Sequence, residues 1–190
     1  MRVITGSARG RRLKELPGME TRPTTDRVKE GLFSAIQFDI EGRRVLDLFG
    51  GTGQLGIECL SRGAASAVFV EQRRAAVELI RENLALTGLG GRAQVIQADA
   101  LAFLESAPGR FGVILLDPPY GQGLLEASLE KIVRIDILAP HGIMTAEHPA
   151  ASPPPPVRGL YRIHRAYRYG KIGLTVLRRD GEQKSEEEDP

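Results

Sequence analysis

From Gly42 to Ala146 the chain repeats one unit, a short apolar run followed by a longer stretch of helical periodicity, and this repeat limits the fold more than any other feature. Strands are predicted at Val45 to Phe49, Ala67 to Val70, Ala93 to Ile96, Val113 to Leu116 and Gly142 to Ala146. Between them Leu55 to Leu60, Ala75 to Leu86, Leu101 to Leu104 and Leu124 to Ile135 read as helices, the second with Val77, Ile80 and Leu84 on one face. Such alternation implies a doubly wound α/β fold, a mainly parallel sheet with helices on both faces. Sheets of this kind take their ligands at the carboxyl ends of the strands.

The flanks depart from the repeat. Residues 1–16 alternate around Arg9-Gly10-Arg11-Arg12 and predict a short β-hairpin with a basic turn. Thr21 to Asp26 is a polar segment suited to capping a helix on which Val28, Leu32, Ala35 and Ile36 share a buried face. After Ser152, Pro153 to Pro156 read as a rigid crossover. Leu160 to Tyr167 and Lys171 to Arg178, around Tyr169-Gly170, then read as a closing antiparallel hairpin. With 42% hydrophobic residues in 190, one core is expected. The division is a single domain over 1–179, with 1–23 as an amino-terminal extension and 24–179 as the core, and a disordered acidic tail over 180–190.

That tail conceals the charge of the rest. The formal net charge is +2, yet residues 180–190 carry six acids against Lys184, which leaves +7 on residues 1–179. Eight Lys/Arg fall in residues 1–29, and seven with no acid in residues 157–179, so a polyanionic partner is plausible beside the plainer reading of a solvated basic face. No apolar signal region opens the sequence and no run approaches a membrane span, so a cytoplasmic protein that uses no membrane is expected. One cysteine, Cys59, and three dispersed histidines offer neither a disulfide nor a metal-ligand spacing. Cys59 sits in an apolar helical pattern and reads as a buried small residue.

The fourth strand runs directly into Asp117, Pro118, Pro119 and Tyr120. Two prolines after a buried strand forfeit ladder hydrogen bonds but make a rigid floor. A carboxylate and a proline carbonyl there are acceptors only, suited to the two N–H groups of an exocyclic amine, with the Tyr120 ring placed to stack on the base. Alone, the tetrapeptide reads more simply as a stiff turn. Upstream, Gly51-Thr52-Gly53-Gln54-Leu55-Gly56 follows a strand and opens a helix, with Glu71 twenty residues beyond Gly51, the outline of a dinucleotide fingerprint. Asp47 just before the glycines is unwelcome to a pyrophosphate but not to a ligand bearing an ammonium and a sulfonium. Asp99 can accept from an adenine amine or cap the next helix, roles that are compatible. The pattern turns from a nicotinamide cofactor toward S-adenosyl-L-methionine, with Asp47, Gly50, Gly51, Thr52, Gly53, Glu71, Gln72, Asp99 and Ala100 as the donor site. The hydroxyls and guanidinium of Arg22 and Thr24 suit a phosphate or the cofactor carboxylate.

Gly6-Ser7 with Gly10-Arg11, the run Thr21 to Glu30, the glycine loop from Asp47 to Gly56, Ser61-Arg62-Gly63-Ala64, Glu71, Asp117 to Tyr120 and Tyr167-Arg168-Tyr169-Gly170 together resemble the ribosomal small-subunit methyltransferase D family, which methylates N2 of one guanine in 16S rRNA. The resemblance implies a seven-stranded class I (Rossmann-like) methyltransferase sheet with an amino-terminal hairpin extension, S-adenosyl-L-methionine as donor, S-adenosyl-L-homocysteine as product and no metal. It also implies 16S rRNA in a small-subunit particle as substrate, and Arg22 to Asp26 near the opening of the site; a monomer is expected, although no sequence feature sets the oligomeric state. Arg9, Arg11, Arg12, Arg27, Arg165 and Arg168 are the candidate rRNA contacts. Two positions depart from the family pattern: Gly51-Thr52 replaces a more usual alanine-serine, and Lys171-Ile172-Gly173 replaces an aspartate-threonine pair. The competing readings are a DNA adenine-N6 methyltransferase, disfavoured by the lack of a separate target-recognition domain, a non-catalytic RNA-binding assembly factor, and a nicotinamide oxidoreductase.

Overall fold

In the computed structural model, which describes residues 1–15 and 26–181, every predicted strand and helix of the repeat is present. The strands are β1 (Arg44–Asp47), β2 (Ser66–Glu71), β3 (Ala93–Gln97), β4 (Phe111–Leu116), β5 (Leu138–Pro149), β6 (Tyr161–Tyr169) and β7 (Ile172–Arg179). The helices are α1 (Asp26–Ile36), α2 (Gln54–Ser61), α3 (Arg74–Thr87), α4 (Ala100–Glu105) and α5 (Leu124–Ile135). One seven-stranded sheet has the order β3-β2-β1-β4-β5-β7-β6. The first five strands are parallel because helices or helical turns return the chain between them, whereas β7 pairs antiparallel with both β5 and β6.

Alternate residues of the central strands feed two cores. Val45, Phe69, Val113 and Leu115 pack with α1, α2 and α3, while Leu46, Val68, Ile114 and Leu116 pack with α4 and α5. All six residues of β4 are buried, as expected of a strand covered on both faces. Edge strand β6 is mostly exposed and carries the arginines that keep such an edge from pairing with another chain.

Strand β5 begins earlier than predicted. The strand was expected from Gly142, yet Leu138 already pairs with Phe111, and the register jumps to Val113 with Ile143 while His141 takes a φ of 57°. Residues 139–142 form an irregularity inside the strand. Lys171-Ile172-Gly173 also finds its reason here: Gly170 turns the hairpin at a φ of 63°, and a Cβ on Gly173 would lie 2.3 Å from the ring of His148, its partner across the ladder. Pro153 to Pro156 join β5 to β6 without regular structure, and Val157 and Leu160 pack against the α4–α5 core.

The predicted amino-terminal hairpin is reduced to one bridge, Arg2 with Arg12, plus bonds such as Val3 N–H to the Arg11 carbonyl at 3.0 Å. The body of the protein does the rest of the holding. Ile4 and Thr5 N–H donate to the Glu58 carboxylate at 2.8 and 2.9 Å, Ala8 N–H donates to Ser61 Oγ, and Lys14 N–H donates to Asn83 Oδ1. Arg22, Thr24, the remaining cap residues of 16–25, the Asp26 side chain and the tail from Glu182 lie outside the described residues. Among the described residues no helix is long and apolar enough to cross a membrane.

Candidate active site

The parallel strands end together, and their carboxyl ends open on a cleft of about 900 Å³. Its walls are Asp47 to Thr52, Glu71 to Arg73, Ala98 to Ala100, Asp117 to Tyr120 and Glu147. Every expected donor-site residue among those described borders it except Gly53, which lies buried behind the loop. Because β1 pairs with β4, with Asp47 beside Leu115, the glycine loop and the Asp117 floor are neighbours across one opening.

The loop is shaped by its backbone. Gly53 has a φ of 79°, which a side chain would strain, and its N–H donates to the Gly50 carbonyl at 2.6 Å to close the turn. Gly56 serves packing instead, since a Cβ there would stand 2.3 Å from the Phe69 ring, so only glycine lets α2 lie this close to β2. Glu71 Oε2 accepts from Gly51 N–H at 2.9 Å, and Oε1 accepts from the Arg73 N–H and Nε. The carboxylate expected to meet a ribose therefore also braces the glycine loop, a role that sequence reading did not supply. With about four acceptor sites on a carboxylate, the two roles are compatible. The Thr52 hydroxyl donates to Met1 Sδ at 3.4 Å, and Met1 borders the cleft.

Asp47 is almost fully buried, and its Oδ2 accepts from the Gly56 N–H in the first turn of α2 at 2.9 Å. Burial pushes its pKa up to about 7; the Gly56 bond opposes that shift and the nearby charge of Glu71 adds to it. The folded protein thus holds a proton here from about pH 4 to 7 that the unfolded chain has released, and stability attributable to Asp47 declines as pH rises through that window. Asp47→Asn should flatten this slope in urea titrations at several pH values; an unchanged slope would assign it to other groups.

Asp99 Oδ1 accepts from Ala102 N–H at 2.9 Å, capping α4 as anticipated, while remaining at the cleft wall. Asp117 is half-buried and Pro118 buried, immediately past the last pair of β4, Leu116 with Ala146. Tyr120 was expected only to offer its ring. Its hydroxyl donates to Glu147 Oε1 at 3.0 Å, and Glu147, in the last third of β5, is only 4% exposed. Sequence reading passed over Glu147. The available signal is positional: it is the first charged residue after the apolar run of β5, as Asp117 is after β4.

The arginines stand apart from the cleft. Arg9, Arg11 and Arg12 are exposed around the amino-terminal turn, where Ser7 N–H donates to the Ser61 carbonyl. That places the turn at the far end of α2 from the glycine loop, one eight-residue helix and roughly 12 Å away. Arg27 is exposed in the first turn of α1, and Arg165 and Arg168 are exposed on β6, Arg168 Nε donating to the Gly170 carbonyl. Cys59 is fully buried, and burial pushes its thiol well above the ordinary range, as suits an inert packing residue. Among the described residues no group of His, Cys, Asp and Glu could hold a metal ion.

Carboxylates and carbonyls dominate this cleft, so it favours ligands that bring N–H groups or positive charge. Residues 1–178 match the family model described as "Conserved hypothetical protein 95". The chain is 34% identical to ribosomal RNA small subunit methyltransferase D of Escherichia coli K12, over 98% of its own length and 93% of that protein's. It is 41% identical to the candidate rRNA methyltransferase YlbH of Bacillus subtilis over 95% of this chain and all of the other. The solved structure of the candidate methyltransferase yhhF from Escherichia coli superposes with a TM-score of 0.86 at 33% identity, over 95% of this chain and 98% of that one. On identity of this order over nearly the whole of both chains, the chain belongs to the ribosomal RNA small subunit methyltransferase D family.

Proposed function

We propose that the protein transfers a methyl group from S-adenosyl-L-methionine to the exocyclic N2 of a guanine in 16S rRNA, within a small-subunit particle. The observation that carries this reading is the meeting of two sites in one cleft: the amine floor, Asp117 to Tyr120, and the nucleoside pocket, Gly50 to Gly53 with Glu71 and Asp99. The donor set suits the cofactor. Asp47 faces an ammonium, Glu71 a ribose diol, and Asp99 an adenine amine, whereas a dinucleotide would bring its pyrophosphate toward Asp47.

Bound there, S-adenosyl-L-methionine supplies a methyl made electrophilic by its sulfonium. The chain's own work is positioning. Asp117 and the Pro118 carbonyl accept the two N2 hydrogens, which turns the nitrogen lone pair out of the ring's π-system and toward the methyl. As the N–C bond forms and the S–CH3 bond breaks, with S-adenosyl-L-homocysteine leaving as a neutral thioether, Asp117 stabilises the charge growing on nitrogen, which then gives up a proton to solvent. Tyr120 stacks on the base, which has to leave its own stack to reach the floor. Arg9, Arg11, Arg12, Arg27, Arg165 and Arg168 meet rRNA phosphates around the site.

Mass mapping of modified guanines in 16S rRNA from cells with and without the gene tests the assignment. One N2-methylguanine should vanish on deletion, and an unchanged map would refute it. Affinity for rRNA should fall steeply between 50 and 200 mM salt, by roughly tenfold or more if several of the arginines release counterions. A flat salt response would remove them from the account. Donor binding should also be linked to Asp47. An ammonium beside it favours the carboxylate, so below pH 7 binding releases a proton and affinity rises with pH toward 7. Calorimetry in buffers of different ionisation enthalpy should detect that proton in the wild type and not in Asp47→Asn.

A further inference from the structure

The amine floor alone does not say which base it holds, because guanine, adenine and cytosine all carry an exocyclic NH2 that Asp117 and a proline carbonyl could grip. A second acid stands beside it. Leu116 and Ala146 are register partners on parallel strands, so the residues that follow them, Asp117 just past β4 and Glu147 still within β5, lie on neighbouring backbones about 5 Å apart and border the same cleft. Glu147 is nearly buried, and Tyr120 donates its hydroxyl to Oε1 at 3.0 Å, which ties the carboxylate to the ring proposed to stack on the base.

Resting on the proposed reaction, we propose that Glu147 is the residue that selects guanine, by accepting the N1–H that lies next to N2 on the base's Watson–Crick edge. Guanine presents three N–H bonds in a row there, two on N2 and one on N1. Asp117, the Pro118 carbonyl and Glu147 are three acceptors along one wall. Adenine presents its amine beside an unprotonated N1, and cytosine presents its own beside an unprotonated N3. Each would set a lone pair against the Glu147 carboxylate and offer it no hydrogen, a repulsive element as selective as the attraction. The Tyr120 hydroxyl occupies one of about four acceptor sites of the carboxylate and fixes its direction.

The test uses small-subunit particles reconstituted with either guanine or 2-aminopurine at the target position. The analogue keeps the N2 amine but carries a lone pair at N1. Wild-type enzyme should prefer guanine in kcat/KM by roughly 10- to 100-fold, the worth of one hydrogen bond to a charged group. Glu147→Gln, whose amide can donate to a bare N1, should collapse that ratio to within about threefold by the same reasoning. Tyr120→Phe, which removes the tether while keeping the ring, should lower the ratio as well and covers the case in which the glutamine variant folds poorly. A merely structural Glu147 would lower both rates together, and a ratio unchanged in the variants overturns the proposal, as does a wild type indifferent to the two bases. A wild type that methylates neither base fails at the earlier step and refutes the proposed reaction itself.

Discussion

Asp117→Ala should lower methyl transfer to rRNA by roughly a thousandfold or more, while the affinity for S-adenosyl-L-methionine changes by no more than a few fold. The asymmetry follows from placement. Asp117 lies past the end of β4, whereas the donor's proposed contacts come from β1, β2 and β3. Removing the carboxylate deletes one of two acceptors for the amine and the charge that offsets the cationic nitrogen, both needed only as the N–C bond forms. Asp117→Asn separates the two contributions, because an amide oxygen still accepts while its charge is gone, so the asparagine variant should fall between wild type and alanine. Single-turnover rates with donor binding measured alongside decide it. Near-normal turnover in Asp117→Ala would sink the assignment.

The largest stability effect should come from a residue outside the cleft. Glu58 is fully buried, 3.1 Å from Lys29 Nζ and 2.9 Å from Arg62 Nε, and it accepts the N–H groups of Ile4 and Thr5. Lys29 is equally buried and also donates to the Arg2 carbonyl at 3.0 Å. One carboxylate thus joins α1, α2 and the amino-terminal segment. Glu58→Ala strips two backbone donors of their acceptor and takes this counter-charge from the buried Lys29 and the half-buried Arg62, at a cost of about 3–5 kcal/mol. For a chain of this length that corresponds to a Tm lower by roughly 10 °C. Lys14→Ala, which breaks the pair with Glu82 where both partners are more than half exposed, should shift Tm hardly at all. Equal shifts for the two would mean that the buried network contributes no more than a surface pair. Because Met1 borders the cleft, Glu58→Ala should also weaken donor binding.

Much of this was legible in the chain itself. The period of the apolar residues named the strands and helices, since a strand buried on both faces has to be apolar throughout and a helix has to repeat every 3.6 residues. The glycines with Glu71, and Asp117 to Tyr120, could be placed at strand ends where a cleft opens, because each group depends on residues a few positions apart whose geometry is set by the local backbone. Where the local signal fell short, a long-range partner was the reason. The fifth strand was expected only from Gly142 but begins at Leu138, because Phe111 holds that residue in the sheet.

Other features were decided only when distant segments met. Glu58 and Asn83 are ordinary helical positions in the sequence, and their carboxylate and amide acquire meaning only once the amino-terminal backbone lies against them. Arg179 and Asp136 are likewise unremarked 43 residues apart, yet they form a two-bond ion pair in which the arginine is buried. The pairing of β1 with β4 places the two halves of the site in one cleft, and the pairing of β4 with β5 brings Glu147 beside Asp117. Periodicity and turn chemistry are written into neighbouring residues, so the sequence determined the elements and the kind of chemistry at their ends. Which strand ends become neighbours, and hence which charges share one dry volume, depends on burying both faces of the whole sheet at once, and that was decided by the tertiary structure.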